Sequence, residues 1–197
     1  MTELALFDFD GTLTRRDSLT DFLRHTFRPW RLAAASIVLA PVMTRYAFGR
    51  VEAGPAKERV LAHFYRGRAY ADFAGAGEQY ALQRLPLTLR PSATRKLFWH
   101  TEQRHEVVIV TASVEEWIRP WAEKFGARVI GTRLEQRDGR LTGRLATPNC
   151  KGDEKIRRIL EHYDLQDFER IHAYGDSEAD KPMLSLAHEA HRNIFRD

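Results

Sequence analysis

Short runs of apolar residues alternate along the chain with segments that are patterned for helices. Uninterrupted runs at 4–7 and 107–110 predict strands that are buried on both faces of a sheet. Because strands and helices alternate, the pattern predicts an α/β fold with a doubly wound, Rossmann-like parallel sheet. The other predicted segments are helices at 94–103, 114–125, 153–162 and 181–187, strands at 129–130, 171–174 and 190–194, and a hairpin at 132–145.

One long segment, residues 15–85, departs from this alternation and predicts only helices. Within it, residues 32–44 carry no charged side chain, but a membrane span needs about 20 apolar residues. We expect a buried helix there, with an interfacial helix as the open alternative. The pattern therefore predicts a core of residues 1–14 and 86–197, with a small helical cap of residues 15–85 inserted after the first strand.

Composition narrows the class of protein further. Of 197 residues, 43% are hydrophobic and 29% charged, which is typical of a folded globular protein. The single cysteine, Cys150, excludes an internal disulfide and a cysteine-rich metal site. No export signal precedes the first strand, so we expect a cytoplasmic protein. Eight histidines lack the close spacing of metal-ligand motifs, and we expect most of them to be surface or packed residues.

Positive charge is concentrated in the helical insert. Residues 15–84 contain twelve basic and six acidic side chains, whereas the whole chain has a net charge of +4. A basic insert on a slightly acidic body can attract an anionic substrate, anionic lipid or nucleic acid. A solvated helical surface explains the same charge without any partner.

Two carboxylates directly follow the first apolar run. Asp8 and Asp10 are two residues apart, so the alternation of a strand starts them on the same side. Gly11 lets the chain turn sharply after them. Two like charges this close repel unless a cation or a proton lies between them. The carboxyl ends of parallel strands are also where open α/β sheets bind ligands.

Polar residues end the other buried strands in the same way. Thr111, Ala112 and Ser113 follow the second run, and Asp176 follows residues 171–174. Lys151 adds a positive charge at a predicted loop-to-helix junction. Carboxylate oxygens suit Mg²⁺, and a lysine with a threonine hydroxyl and backbone N–H groups suits a phosphoryl group. Together these residues predict Mg²⁺-assisted phosphoryl transfer.

The sequence resembles the haloacid dehalogenase superfamily of phosphohydrolases, in its phosphoserine-phosphatase-like branch. D-F-D-G-T at 8–12 matches the first family motif, and V-V-I-V-T at 107–111 matches the second. Lys151, in N-C-K-G-D-E-K, matches the third, and G-D-S-E-A-D at 175–180 matches the fourth. The hairpin at 134–143 also resembles this branch. The four motifs occur in family order and span the chain outside the insert.

The resemblance implies a role for each acidic residue. Asp8 would attack phosphorus to give an aspartyl-phosphate, and Asp10 would act as general acid and then as general base. Mg²⁺ would be bound by the Asp8 carboxylate, the Asp10 carbonyl and Asp176. Asp180 would not bind the Mg²⁺ directly but would orient the lysine or a metal-bound water. The alternative role of Asp180 is that of a helix N-cap.

The resemblance also implies groups that bind the phosphoryl oxygens and the leaving group. Thr111 would hydrogen-bond a phosphoryl oxygen, and Lys151 would neutralise the developing charge beside Asp8. In phosphoserine phosphatases an acidic residue nine positions after the nucleophile contacts the substrate amine, and Asp17 stands there. An arginine of the cap binds the substrate carboxylate, and Arg59 is the best match, with a surface arginine as the alternative.

The substrate implied by the resemblance is a small phosphorylated metabolite of the phosphoserine type. However, phosphoserine phosphatases follow the second motif with Gly-Gly-Phe, whose backbone helps to bind substrate, whereas this chain has Ala112-Ser113-Val114. The uncharged tract with arginines on both sides also resembles phosphatidylglycerophosphate phosphatases. A lipid head-group phosphatase therefore stays open, with peripheral membrane contact through the cap.

Two other classes remain open. A phosphotransferase on the same scaffold would pass the phosphoryl group to a second substrate. A basic module that binds nucleic acid or a membrane would have a degenerate site, and the intact four motifs disfavour it. We therefore expect a small phosphate ester as the partner and no nucleic acid, and the oligomeric state is left undetermined.

Overall fold

A computed structural model describes residues 2–197; Met1, which the predicted boundaries assign to the core, lies outside them. Among the described residues, five strands pair in parallel in one sheet, and two others form an antiparallel hairpin. The strands are β1 (Thr2–Phe7), β2 (Glu106–Val114), β3 (Arg128–Thr132), β4 (Leu134–Arg137), β5 (Arg140–Leu145), β6 (Phe168–Gly175) and β7 (Glu189–Arg192). The order β3-β2-β1-β6-β7 places β1 at the centre, and the predicted α/β fold class is confirmed.

Helices cover both faces of the sheet. They are α1 (Ser18–Thr26), α2 (Pro29–Ala47), α3 (Ala53–Tyr65), α4 (Tyr70–Gln83), α5 (Pro91–Glu102), α6 (Arg119–Ala122), α7 (Asp153–His162) and α8 (Lys181–Leu184). On one face Leu4 and Leu6 of β1 belong to the same buried cluster as Ile159 of α7. On the other face Phe7 clusters with Leu97 of α5 and with buried residues of the insert. The period-two alternation of β1 therefore supplies both layers of the core.

The insert joins the core through a short paired stem. Thr14 forms an antiparallel bridge with Leu89. The Arg15 amide donates to the Thr88 carbonyl at 2.9 Å, and the Arg90 amide donates to the Leu13 carbonyl at 2.8 Å. The chain thus leaves the core and returns to it at one place, and α1 to α4 lie between these two points.

The expectation that the uncharged tract 32–44 is buried is wrong. The tract lies within α2, and among residues 29–47, all of which are described, Ala35 alone is buried. Ile37 and Val38 are 78% and 63% exposed. Its main packing partners are α3 and α1, and within residues 2–197 most of its side chains are exposed.

The predicted helix at 114–125 is also wrong in part. β2 continues through Val114, and a 3₁₀ turn, the four-residue α6 and a second 3₁₀ turn follow it. Pro120 has no N–H to donate and so interrupts regular helical hydrogen bonding. Glu115, at the start of the segment, accepts from the Gly131 amide at 2.9 Å, which ties this irregular stretch to β3.

The predicted hairpin is confirmed as β4 and β5. Asp138 and Gly139 have φ of 50° and 72°, the left-handed conformations that a two-residue hairpin turn requires. The hairpin packs on α3: the Gly67 amide of the insert donates to the Leu141 carbonyl at 2.8 Å. The insert therefore contacts the core at its stem and again at this hairpin.

Candidate active site

The carboxyl ends of β1, β2 and β6 line a cleft of about 380 Å³ together with residues of the insert. This is the edge of a parallel sheet at which the sequence predicts the site. Of the predicted residues, those that line the cleft are Asp8, Asp10, Asp17, Thr111, Ala112, Ser113, Lys151 and Asp180. Further residues that line it and were not predicted include Lys57, Asn149 and Lys155.

Asp8 is buried where β1 ends. Its amide donates to the Tyr174 carbonyl of β6 at 2.8 Å, which fixes the backbone at this point. The carboxylate accepts from Lys155 Nζ at 2.6 Å on one oxygen and from the Thr12 hydroxyl at 3.2 Å on the other. Burial raises the pKa of Asp8 to about 6, with Lys155 opposing the shift and the nearby Asp180 adding to it.

The lysine beside Asp8 is Lys155, and the prediction of Lys151 for this role is wrong. Lys155 Nζ lies 2.6 Å from Asp8 Oδ1 and 2.6 Å from Asp180 Oδ1, and its side chain is 2% exposed. Lys151 is exposed at the rim of the cleft, before α7 begins. Burial alone lowers the pKa of Lys155, but the two carboxylates outweigh it and raise that pKa.

Helix periodicity contains the signal that identifies Lys155. The motif N-C-K-G-D-E-K has two lysines, and only the second lies inside α7. Lys155 and Ile159 are four residues apart on the buried face of this helix. Lys151 precedes Gly152, whose φ of 64° places it outside the helix.

Asp10 is held in a network of hydroxyl groups. Its carboxylate accepts from the Ser18 amide at 2.7 Å, from the Ser18 hydroxyl at 3.1 Å and from the Ser113 hydroxyl. The indole N–H of Trp117 donates to the Ser18 hydroxyl at 3.2 Å. Burial raises the pKa of Asp10 to about 7, and the negative charge of Asp17 adds to the shift. Such a group can give or take a proton near neutral pH.

Thr111, Ala112 and Ser113 all line the cleft, and each makes a different hydrogen bond within the protein. Ser113 is buried, and its hydroxyl contacts Asp10 and lies 2.7 Å from the Ser18 hydroxyl. The Thr111 hydroxyl accepts from the Ser113 amide at 3.0 Å. The Ala112 carbonyl accepts from the Thr132 hydroxyl at 2.7 Å. The Ser113 hydroxyl and the Ser113 amide are thus both engaged within the protein, and the part of Ala112 and Ser113 in substrate binding stays a prediction.

Carboxylate oxygens of Asp8, Asp176 and Asp180 lie within 4.8 Å of one another. The oxygens of Asp180 are engaged: Oδ1 accepts from Lys155, and Oδ2 accepts from the Ser177 amide at 2.9 Å. Burial and the negative charge of Asp180 raise the pKa of Asp176. Asp8, although paired with Lys155, and Asp176 therefore bring two carboxylate oxygens within 4.8 Å of each other, a donor set that fits Mg²⁺.

Gly11 makes this approach of Asp176 possible. Its φ is 92°, and a Cβ at this position would overlap the Asp176 carboxylate. Asp10 keeps its carboxylate oriented toward Ser18 and Ser113, so only its backbone carbonyl is left for the metal contact that the sequence predicts.

The two predicted substrate residues of the insert differ in position. Asp17 is the N-cap of α1, where it accepts from the Thr20 amide at 2.8 Å, and it lines the cleft. Arg59 is exposed and lines a different groove, of about 640 Å³, between α2 and α3. The prediction that Arg59 faces the active-site cleft is therefore wrong. Lys57 takes the inward place, because residues at 53, 56, 57 and 60 share the inner face of α3.

Lys57 connects the insert to the core across the cleft. Its ammonium group donates to the Ala112 carbonyl and to Asn149 Oδ1, the latter at 2.8 Å. Burial lowers the pKa of Lys57 to about 8, and the nearby Asp10 opposes the shift. The cleft thus contains three lysines, Lys57, Lys151 and Lys155. Lys155 is paired with Asp8 and Asp180, so Lys57 and Lys151 are the cations on the side of the insert and the rim that suit an anionic group.

This fold and site define a class of protein, and comparison with known proteins agrees. The sequence model of the haloacid dehalogenase-like hydrolases matches residues 5–185. The protein belongs to this family, and its similarity to phosphoserine phosphatases confirms the predicted branch.

Individual relatives extend the similarity over nearly the whole chain. Protein CicA of Caulobacter vibrioides is 36% identical over 98% of this chain and 86% of its own length. Phosphoserine phosphatase SerB1 of Mycobacterium tuberculosis is 27% identical over 94% of this chain and 63% of its own length. A crystal structure of a Bordetella pertussis protein of unknown function has a TM-score of 0.79 at 30% identity, covering 98% of this chain and 89% of that one.

Proposed function

We propose that this protein is a Mg²⁺-dependent phosphomonoester hydrolase that forms an aspartyl-phosphate on Asp8. The observation that carries the proposal is the environment of Asp8. Its carboxylate is buried at the end of the central strand, paired with Lys155 and close to Asp176. Asp10 lies in the same cleft with a pKa of about 7. The phosphatase names of several relatives support the same reaction class.

The chemistry then follows in two steps. An oxygen of Asp8 attacks phosphorus, the bond from phosphorus to the ester oxygen breaks, and Asp10 gives its proton to the departing alkoxide. Asp10 next takes a proton from water, the water oxygen attacks phosphorus, and the acyl-phosphate bond breaks to regenerate Asp8 and release phosphate. When bound, Mg²⁺ would supply positive charge that offsets repulsion between the Asp8 carboxylate and the phosphate. Lys155 stays paired with Asp180 throughout.

The hydroxyl network around Asp10 has a positioning role in this scheme. The Ser18 and Ser113 hydroxyls donate to the Asp10 carboxylate, and the Trp117 indole N–H donates to the Ser18 hydroxyl and orients it.

Release of phosphate with water as the only acceptor is the result expected for a hydrolase. Transfer to a second substrate alcohol would instead identify a phosphotransferase.

The substrate we propose is a small anionic phosphate ester. Three cations line the cleft, and the insert covers it through the contacts of Lys57. Asp17 stays a candidate for contact with a substrate amine, because it lines the cleft. We propose that residues 15–85 act as a cap domain that selects the leaving group, over a core of residues 1–14 and 86–197. A cytoplasmic location fits a small-metabolite substrate.

Metal dependence provides the direct test of this proposal. Purified protein should release phosphate from members of a phosphate-ester panel only when Mg²⁺ is present. Asp176→Asn should raise the Mg²⁺ concentration for half-maximal activity by about 10–100-fold or more, since it removes a ligand rather than an outer-shell partner. Excess Mg²⁺ should partly restore its activity.

Asp10→Asn is the matched control for Asp176→Asn, because it removes a carboxylate that does not face Asp176. It should slow turnover while leaving the Mg²⁺ midpoint unchanged. If Mg²⁺ restored Asp10→Asn but not Asp176→Asn, the two roles would be reversed. Phosphate release that persists after chelation of all Mg²⁺ would refute the metal-dependent mechanism.

We propose lipid-linked phosphate esters as a second substrate class because α2 exposes apolar residues on the surface of the cap. Ile37 and Val38 are largely exposed, and so is Trp30 at 65%. The insert has an excess of six positive charges, which suits an anionic lipid surface. Within residues 2–197, none of the helices has both the length and the hydropathy to cross a bilayer, so such contact would be peripheral.

Val38→Asp should separate the two substrate classes. If α2 lies on a membrane, this change should weaken activity on a lipid phosphate in anionic vesicles by roughly 10–100-fold, since burying one valine contributes roughly 1.5–3 kcal/mol. Added salt should weaken it further. The matched control is Leu160→Asp, at an exposed leucine of α7. Equal vesicle activity of wild type and Val38→Asp would eliminate the lipid proposal.

A further inference from the structure

Histidine and glutamate side chains from several parts of the chain meet on one face of the sheet, on the side of α5. In the register of the sheet, His172 of β6 lies opposite Glu189 of the edge strand β7. His191 follows Glu189 by two residues and so shares its face. Glu3 precedes Ala5, the partner of His172 on β1, by two residues. The pleat therefore places Glu3, His172, Glu189 and His191 together.

The distances among these groups are close to those of a metal-binding triad. His172 Nδ1 lies 3.2 Å from Glu189 Oε2, and His191 Nε2 lies 3.8 Å from the same oxygen. One ligand atom from each of the three residues lies within 4.8 Å of the other two. Bonds of about 2.0–2.1 Å in a tetrahedral zinc site separate ligand atoms by roughly 3.3 Å.

His172 supplies a second, independent observation. Its side chain is 6% exposed, and within residues 2–197 its Nδ1 has no hydrogen-bond partner although it is buried. Its other nitrogen, Nε2, lies 2.7 Å from Glu3 Oε2. When Nε2 donates its proton to Glu3, Nδ1 presents a lone pair toward the Glu189 carboxylate. A buried lone pair and a carboxylate repel each other, and a shared cation removes the repulsion.

The contact between His172 and Glu3 is also the kind that supports a metal ligand. A histidine that binds a metal with one nitrogen commonly donates the other N–H to a carboxylate, which fixes the ring and its tautomer. The neighbouring His100 and His105 are already satisfied, by each other and by Tyr174.

We infer that His172, His191 and Glu189 form a binding site for a transition-metal ion of the zinc class, with Glu3 supporting His172. Two imidazoles and a carboxylate suit Zn²⁺ better than Mg²⁺, which prefers oxygen. Glu189 and His191 are 39% and 31% exposed, so an ion reaches the site from solvent and a fourth position stays open for water. The ion would join β7 to β6 and so stabilise the edge of the sheet.

Zinc titration of the intact protein tests this inference. In excess Mg²⁺, the wild type should bind one equivalent of Zn²⁺ in competition with a chromogenic chelator. A Zn²⁺ concentration of a hundred times Kd should raise Tm by roughly 5 °C or more. Replacement by Co²⁺ should give the visible absorption of a nitrogen-ligated ion. These readouts do not depend on catalysis.

The variants separate this site from the catalytic metal site and from ordinary surface histidines. His191→Gln and Glu189→Gln should each weaken Zn²⁺ binding at least tenfold and abolish the Tm shift. Because both side chains are partly exposed, these variants should fold. His63→Gln, at an exposed histidine of α3, and Asp176→Asn should keep the full equivalent. Absence of binding by the wild type, or full affinity in either His191→Gln or Glu189→Gln, would overturn the inference and leave His172 as a structural partner of Glu3 and Glu189 only.

Discussion

Replacing Asp8 with asparagine should abolish turnover of every phosphate ester that the wild type hydrolyses. The amide is nearly the same size as the carboxylate but is not a nucleophile, so the covalent step is lost. Lys155 keeps Asp180 as an ionic partner, and we therefore expect the variant to fold. Acid quenching of the wild type during turnover, followed by mass spectrometry, should locate a phosphoryl group on the peptide that contains Asp8.

Two controls complete this experiment. Asp72→Asn makes the same chemical change at an exposed residue of α4 and should leave turnover unchanged. Beryllofluoride with Mg²⁺ should inhibit the wild type by imitating the phosphorylated aspartate, and it should not bind Asp8→Asn. Turnover by purified Asp8→Asn near the wild-type rate would refute the proposed nucleophile.

Lys155→Ala should lower kcat by roughly 10²–10³-fold, the usual cost of losing a charged group that stabilises the transition state. The buried ammonium is the group that contacts Asp8, and its removal leaves the carboxylates of Asp8 and Asp180 unbalanced. The same loss should lower the free energy of unfolding by about 3–5 kcal/mol. Turnover should therefore be measured on the folded fraction, determined by circular dichroism.

Lys151→Ala is the matched control, because it removes the same charge from the rim of the same cleft. It should change kcat less than tenfold and should leave stability nearly unchanged. Lys155→Arg restores the charge and should recover much of the stability while kcat stays low, since the guanidinium does not reproduce the geometry of the amine. A larger loss in Lys151→Ala than in Lys155→Ala would return the catalytic role to Lys151.

The central strand and its carboxylates were predictable because local pattern alone determines them. An apolar run that ends in acidic residues and glycine has few structural solutions, and β1 with Asp8 is one of them. The parallel sheet order was not predictable in the same way. Pairing of β6 with β1 depends on contacts across more than 160 residues, which periodicity does not report.

Two site residues, Lys151 and Arg59, were predicted wrongly because the sequence alone did not show where a helix begins or which face of it a residue occupies. Lys151 and Lys155 are both near the third motif, and only the start of α7 at Asp153 decides between them. Arg59 and Lys57 are two residues apart on α3, and that spacing points them to different faces. When a helix is predicted one or two residues out of place, the basic residue assigned to the cleft is therefore one that the structure exposes to solvent.

Helix α2 and the cluster of His172, Glu189 and His191 show a second limit of prediction from sequence, because both depend on contacts between distant parts of the chain. Apolar composition predicted burial for residues 32–44, but burial requires a neighbouring surface, and the packing of α2 on α1 and α3 leaves Ala35 as its one buried residue. The histidines were expected to be scattered, because His172 and His191 are 19 residues apart in the chain. The pairing of β6 with β7 brings them together, and no local pattern contains that pairing.

The bridge between Thr14 and Leu89 has a consequence for how this protein could be remodelled. The chain enters and leaves the insert through one paired stem. A segment of another length can therefore connect Thr14 to Leu89. In a flexible loop, each doubling of length costs only about 0.6 kcal/mol of closure entropy. The segment between these two residues is thus exchangeable at small conformational cost, provided that its replacement again covers Trp117 of the core, on which Phe22 of the insert now stacks. A replacement that also keeps Ser18, which donates to Asp10, would transfer a new specificity onto the same catalytic carboxylates.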